Sequence, residues 1–182
     1  MDVDVAEARA LDAAEDLFYR RGIHAVGMDD IRDAAGVSLK RLYQLFPNKE
    51  RLVVAFLERR DIRWRGRLAT HVARHEDPVR RILAVFDWLH EWFSEPTYRG
   101  CAWVNSFGEL GATSTAVADL ARDHKERVHE YLSGLVKDAG RPAPLADHLM
   151  LLAEGAMTIA AISGSPTPAH HAKAAAAALL DR

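Results

Sequence analysis

The stretch Met28-Asp29-Asp30-Ile31-Arg32-Asp33-Ala34-Ala35-Gly36-Val37-Ser38-Leu39-Lys40-Arg41-Leu42-Tyr43-Gln44-Leu45-Phe46 decides how this chain is read. Its apolar spacing predicts a short helix over 28–35, with Asp29 and Asp30 in the first turn, where the helix dipole favours negative charge. Gly36-Val37 predicts a tight turn, and Ser38 can cap a second helix over 39–45. Ile31 and Val37 are placed to pack the two helices together, Ala35 to let them approach, and Leu42, Leu45 and Phe46 to anchor the second one. Ser38, Leu39, Lys40, Arg41, Tyr43 and Gln44 are left on or near the outer side. Two short helices joined this way form a helix-turn-helix, whose second helix can enter a major groove. Arg41 can donate two hydrogen bonds to a guanine edge or grip phosphate, Gln44 can read adenine or touch backbone, and Tyr43 can donate its hydroxyl to a phosphate oxygen.

Outward from this stretch the pattern stays helical. A stripe of Ala10, Ala13, Ala14, Leu17 and Phe18 predicts a helix over 6–21, stopped by Gly22. Pro47 ends the second helix of the motif, and Asn48 caps a long helix from 49 to about 75. Helices are further expected over 78–94, 100–110, 114–139 and 145–162. In a last, alanine-rich one Thr167 is N-cap, Pro168 the first helical residue and Leu179-Leu180 the end. No alternating strand and no internal repeat stands out. The expected fold class is all-α, with about nine helices.

Composition bounds the function. The chain has 182 residues, a net charge of -2 and a single cysteine, Cys101. One cysteine cannot close an internal disulfide, so a disulfide scaffold is excluded and a cytoplasmic setting is expected. The first residues are acidic and lack an apolar core, unlike a signal peptide. The longest apolar stretch, 149–162, contains Glu154 and reads as too short to cross a bilayer, so no membrane association is expected. Charge is unevenly spread: residues 1–16 carry six acids against Arg9, whereas 36–65 carry eight bases against three acids. A basic segment in a near-neutral chain suits a local contact with polyanion, although a solvated helix face has the same composition.

Leu17-Phe18, Gly22, Met28-Asp29-Asp30-Ile31, Ala34-Ala35-Gly36-Val37-Ser38 and Leu42-Tyr43-Gln44-Leu45-Phe46-Pro47-Asn48-Lys49-Glu50-Arg51-Leu52 together closely resemble the TetR family of transcriptional regulators over roughly residues 6–57. The resemblance implies a homodimeric repressor that binds a palindromic operator on double-stranded DNA and is released by a small-molecule effector. It implies a DNA-binding domain over 1–48, a connecting helix over 49–75 and a ligand-binding and dimerisation domain over 76–182. By the same resemblance Gly27, Ser38, Lys40, Arg41, Tyr43, Gln44 and Lys49 match positions that touch DNA. Three departures matter: an acidic N-terminal arm in place of a basic one, Gly27 where a capping threonine is common, and Lys40-Arg41 where small residues are common. The first removes a minor-groove contact, the second leaves at most a main-chain contact, and the third makes binding more salt-sensitive.

In the second half, Trp88, His90 and Trp92 on one predicted helix and Cys101, Trp103, Asn105 and Phe107 on the next are expected to line a pocket for a mostly apolar or aromatic effector, with core packing as the alternative. Small residues at Ala153, Gly155, Ala156, Ala160 and Ala161, with apolar Leu149, Leu152 and Ile159, suit a homodimer through the last two helices. No cofactor and no resident metal are called for. A metal-responsive variant of the same fold would use His71 and His75, one turn apart, or His170-His171, and a redox-responsive one would use Cys101. A helical enzyme is a weaker alternative: His90-Glu91 and His129-Glu130 begin like the zinc-protease motif but lack its second histidine.

Overall fold

The computed structural model describes residues 2–181, and among them there are nine α-helices and no strand. They are α1 (Val3–Arg21), α2 (Met28–Ala35), α3 (Leu39–Leu45), α4 (Lys49–Val72), α5 (Pro78–Phe93), α6 (Ala102–Leu110), α7 (Thr115–Asp138), α8 (Leu145–Ser163) and α9 (Thr167–Leu180). The all-α expectation holds. Among the described residues, five of the nine helix starts have a capping side chain that satisfies a free N–H group. Asn48 Oδ1 accepts from Arg51 N at 2.9 Å, Asp77 Oδ1 from Arg80 N at 2.7 Å and Ser114 Oγ from Val117 N at 3.2 Å. Several boundaries move from the expected ones: α1 begins at Val3 rather than 6, α4 ends at Val72 rather than about 75, and α6 begins at Ala102 rather than 100. Ser114 is the cap of α7 rather than its first residue, and α9 begins at Thr167 with Pro166 as its N-cap, one residue earlier than its Thr-Pro signal suggests.

The helices pack as two compact units: Met1–Asp61 with Ala102–Arg122, and Ile62–Cys101 with Asp123–Arg182. This differs from the expected division at 48 and 75, because α6 and the start of α7 pack with the N-terminal helices. The first unit is built on Ala10, Ala14, Phe18, Ile31, Leu42, Leu52 and Phe56, all buried, with the Phe18 and Phe56 rings 6.1 Å apart. In the second unit Ile82, Phe86 and Leu89 of α5 and Leu149 of α8 are buried, and α9 packs on both helices. There Tyr98 donates its hydroxyl to the Met157 carbonyl at 2.6 Å, and Lys173 of α9 pairs with Asp87 of α5 at 2.6 Å.

α8 corrects one expectation. The helix extends over 19 residues with a mean hydropathy of 1.4, long and apolar enough by length and composition to cross a membrane. Much of that apolar surface meets protein, since Leu145, Leu149, Ala153, Ala156 and Met157 are buried. Of its two carboxylates, Glu154 accepts from Lys125 at 2.6 Å and Asp147 lies 2.8 Å from His129 Nε2.

Candidate nucleic-acid interface

The helix-turn-helix forms as its residues dictate. Gly36 takes φ 63°, ψ 36°, the left-handed region that costs any residue with a Cβ, and its N–H caps α2 by donating to the Arg32 carbonyl. Ser38 follows in extended conformation, and its hydroxyl accepts from Arg41 N at 3.2 Å. Ile31, Ala35, Leu42 and Phe46 are buried, whereas Val37 and Leu45 are only half-buried. With Leu42 fixed in the core, Ser38, Lys40, Tyr43 and Gln44 are exposed and Arg41 is half-buried beside them. Two cations, an amide, a phenol and a hydroxyl therefore share the open side of one short helix. This set can donate to phosphate oxygens and to base edges at once.

Two of the expected contact residues are already engaged by the protein. The Gly27 N–H donates to Asp30 Oδ2 at 2.7 Å, so the donor of the expected main-chain contact is taken by the cap of α2. Lys49 lies over the Phe18 ring, its Nζ 5.9 Å from the centroid. Burial pushes its pKa down, against the pull of Glu109 and Asp30. Its ammonium is thus held against the first unit, at the start of α4.

The basic segment counted from sequence is partly neutralised by the acidic one. Arg59 pairs with Asp12 at 2.9 Å and Glu15 at 3.1 Å, and Arg60 pairs with Glu15 at 2.8 Å while lying 4.1 Å from the Tyr19 ring centroid. These arginines tie α4 to α1. Lys40 and Arg51 are exposed and Arg41 is half-buried, and none of the three has an ion pair among the described residues.

Glu109 and Ser114 escaped the sequence reading. Glu109 of α6 accepts from Ile23 N at 2.9 Å and His24 N at 2.8 Å, and His24 Nε2 lies 3.0 Å from the Glu109 carbonyl. Ser114, the cap of α7, donates its hydroxyl to Glu50 in the first turn of α4. α6 and its following turn thereby hold the loop between α1 and α2 and the base of α4.

Residues 10–56 match the family model described as bacterial regulatory proteins, tetR family. That segment is TetR-like, and it covers the helix-turn-helix. An uncharacterized HTH-type transcriptional regulator of Mycobacterium tuberculosis is 32% identical over 124 residues, 65% of this chain and 60% of that protein, so this chain spans less than two thirds of that relative's length. The HTH-type transcriptional activator FasR of Mycolicibacterium smegmatis is 48% identical over 56 residues, 31% of this chain and 26% of FasR. A TetR-family regulator from Streptomyces coelicolor has the same fold, with a TM-score of 0.89 at 24% identity over 98% of this chain and 95% of that one. The matched family is one of regulatory proteins, which counts against the enzyme alternative.

The residues expected to line an effector pocket are dispersed. Trp88 and Trp92 are buried, stacked 5.5 Å apart, and each meets Trp64 edge-on, at 4.9 and 5.5 Å. His124, also buried, lies 5.3 Å from Trp64. His90 points elsewhere, its ring 4.1 Å from that of His170 on α9. Cys101 is buried and accepts from Lys125 Nζ at 3.3 Å. Burial opposes the charge of Lys125, but Cys101 and Glu154 outweigh it and hold the ammonium above the usual lysine range. Trp103 is buried in the first unit, while Asn105 and Phe107 are exposed there. The His71 and His75 rings are 6.4 Å apart, and among the described residues no three His, Cys, Asp or Glu side chains converge on one point.

Proposed function

We propose that this chain is a cytoplasmic TetR-family transcriptional regulator that binds a palindromic operator on double-stranded DNA as a homodimer, through α3. A small-molecule effector in the second unit would release it. The observation that carries this reading is the face of α3: Lys40, Tyr43 and Gln44 open to solvent, Arg41 beside them, and Leu42 buried behind. Ser38 and Lys49 flank that face at the starts of α3 and α4, and Gly27 begins α2.

Dimerisation is supported by α8 and α9. Leu151, Ile159 and Ile162 are 71%, 57% and 82% exposed on α8, and a groove of about 280 Å³ floored by Leu152, Ala156 and Ala172 runs between the two helices. Large apolar side chains in such a row lose water contact when a second copy covers them. Release by an effector follows from coupling: a ligand that prefers one position of α4 changes the separation of the two α3 helices in the dimer. The packed indoles of Trp64, Trp88 and Trp92 and the Cys101–Lys125–Glu154 cluster are the features such a ligand would meet. The direction of regulation is a family-level inference, since FasR, 48% identical over 56 residues, is an activator.

Anisotropy titration of a selected operator with Arg41→Ala and Tyr43→Ala tests the placement of the DNA-binding face. Each variant is expected to bind about 5- to 100-fold more weakly, with an unchanged sedimentation coefficient. Unaltered affinity in both would remove α3 as the recognition helix.

A further inference from the structure

A cleft in the first unit, among α1, α4 and α6, has no role in the reading above. Its volume is about 140 Å³, and it is lined by Phe18, Ile23, Phe56, Ser106 and Glu109. Phe18, Ile23 and Phe56 are buried and supply apolar walls, while half-buried Tyr19 and exposed Asn105 stand at the mouth. Ser106 is the odd residue. It is 3% exposed and lines the cleft. A hydroxyl in a cleft wall can donate to or accept from a ligand held there. Glu109 adds acceptor capacity: each of its carboxylate oxygens accepts one backbone N–H, from Ile23 and from His24, and retains a further lone pair.

We infer that this cleft is a binding site for a neutral, single-ring aromatic molecule bearing a hydroxyl group. Size, wall chemistry and polar placement each select that class. An engineered apolar cavity of about 150 Å³ takes up benzene, so one ring is the right volume. The phenylalanine walls receive the ring face or edge. The ligand hydroxyl donates to the Glu109 carboxylate and accepts from Ser106, two complementary roles that a single O–H fills. An anionic ring is disfavoured because its charge would face Glu109. Because Glu109 also holds the loop between α1 and α2, the bound hydroxyl competes with Ile23 and His24 for the same oxygens. Occupancy then loosens the support of α2.

Phenol is the probe, followed by ligand-observed NMR on the whole chain without DNA, so that the result is independent of operator binding. The expected result is saturable binding with cross-relaxation to the Phe18 and Phe56 rings. Toluene, which lacks the hydroxyl, and the Ser106→Ala variant each bind about fivefold more weakly, and benzoate does not compete. Ser106→Leu fills the cleft and abolishes binding while raising the melting temperature. Absence of cross-relaxation to either ring at millimolar phenol, leaving water as the occupant, overturns the inference. So does unchanged phenol affinity in folded Ser106→Leu. Should that variant not fold, the contacts in the wild-type protein decide alone.

Discussion

At the residue scale, the outer face of α3 differs from its surroundings in having few protein partners for its charge. Arg59 and Arg60 are bound to Asp12 and Glu15, and Arg32 lies between Asp29 at 2.9 Å and Asp33 at 2.7 Å. Exposed Lys40 therefore contributes disproportionately to any attraction for phosphate. Lys40→Ala is expected to reduce the slope of log affinity against log salt by about 0.9 if its ammonium contacts one phosphate. Titrations between low and moderate salt read this directly, and an unchanged slope places Lys40 off the backbone. Much of this face was legible in the sequence because capping and turn chemistry are local: Ser38, Gly36 and Asn48 each act on residues within four positions of themselves. The pairing of Arg59 with Asp12 was not legible, since no sequence pattern brings together two helices separated by two others.

At the element scale, α6 is the helix whose position could not be read in advance. Its apolar residues predicted a helix, and one formed from Ala102 to Leu110. Its packing with the N-terminal helices depends on Glu109 reaching Ile23 and His24, 86 and 85 residues away in the chain. Gly22 shows how close the approach is: it has φ 87°, and a Cβ there would stand 3.2 Å from Glu109 Oε1. Glu109→Ala leaves those two N–H groups without their acceptor, an expected loss of about 1–2 kcal/mol, or roughly 2–8 °C in Tm. Calorimetry measures it, and an unchanged Tm would mean that water replaces the carboxylate at no cost. The link between α7 and α8 has a pH signature. Lys125 has a raised pKa in the folded chain, so its pairing with Glu154 contributes fully below the ordinary lysine value of about 10.4 and is lost as pH rises through the higher folded value. Lys125→Met should therefore abolish an alkaline fall in stability above about pH 10, and leave the profile below neutrality unaltered.

At the scale of the whole molecule, two different kinds of pattern were available. The first 57 residues contain a motif whose capping and turn positions have local tasks, and the sequence reading there agrees with the structure on α2 and α3, whereas α1 begins at Val3 instead of 6. Beyond them the constraint is only that each helix bury a stripe, which many arrangements satisfy. Trp88 and Trp92 were visible as aromatics four apart, but Trp64, which packs against both, lies on a helix read mainly for its connecting role. His90, on the same helix as those two, turns toward His170 instead. In the proposed homodimer a second copy would cover the exposed Leu151, Ile159 and Ile162 of α8, and two-fold symmetry would present two α3 helices to DNA.

That consequence gives the most direct measurement: selection of random double-stranded DNA on the purified, effector-free protein. The account predicts enrichment of a palindrome whose half-sites are spaced by about one helical turn, near 10 base pairs, or a multiple of it. Protein shown to be folded and dimeric that enriches no sequence, or only an unpaired half-site, would contradict it.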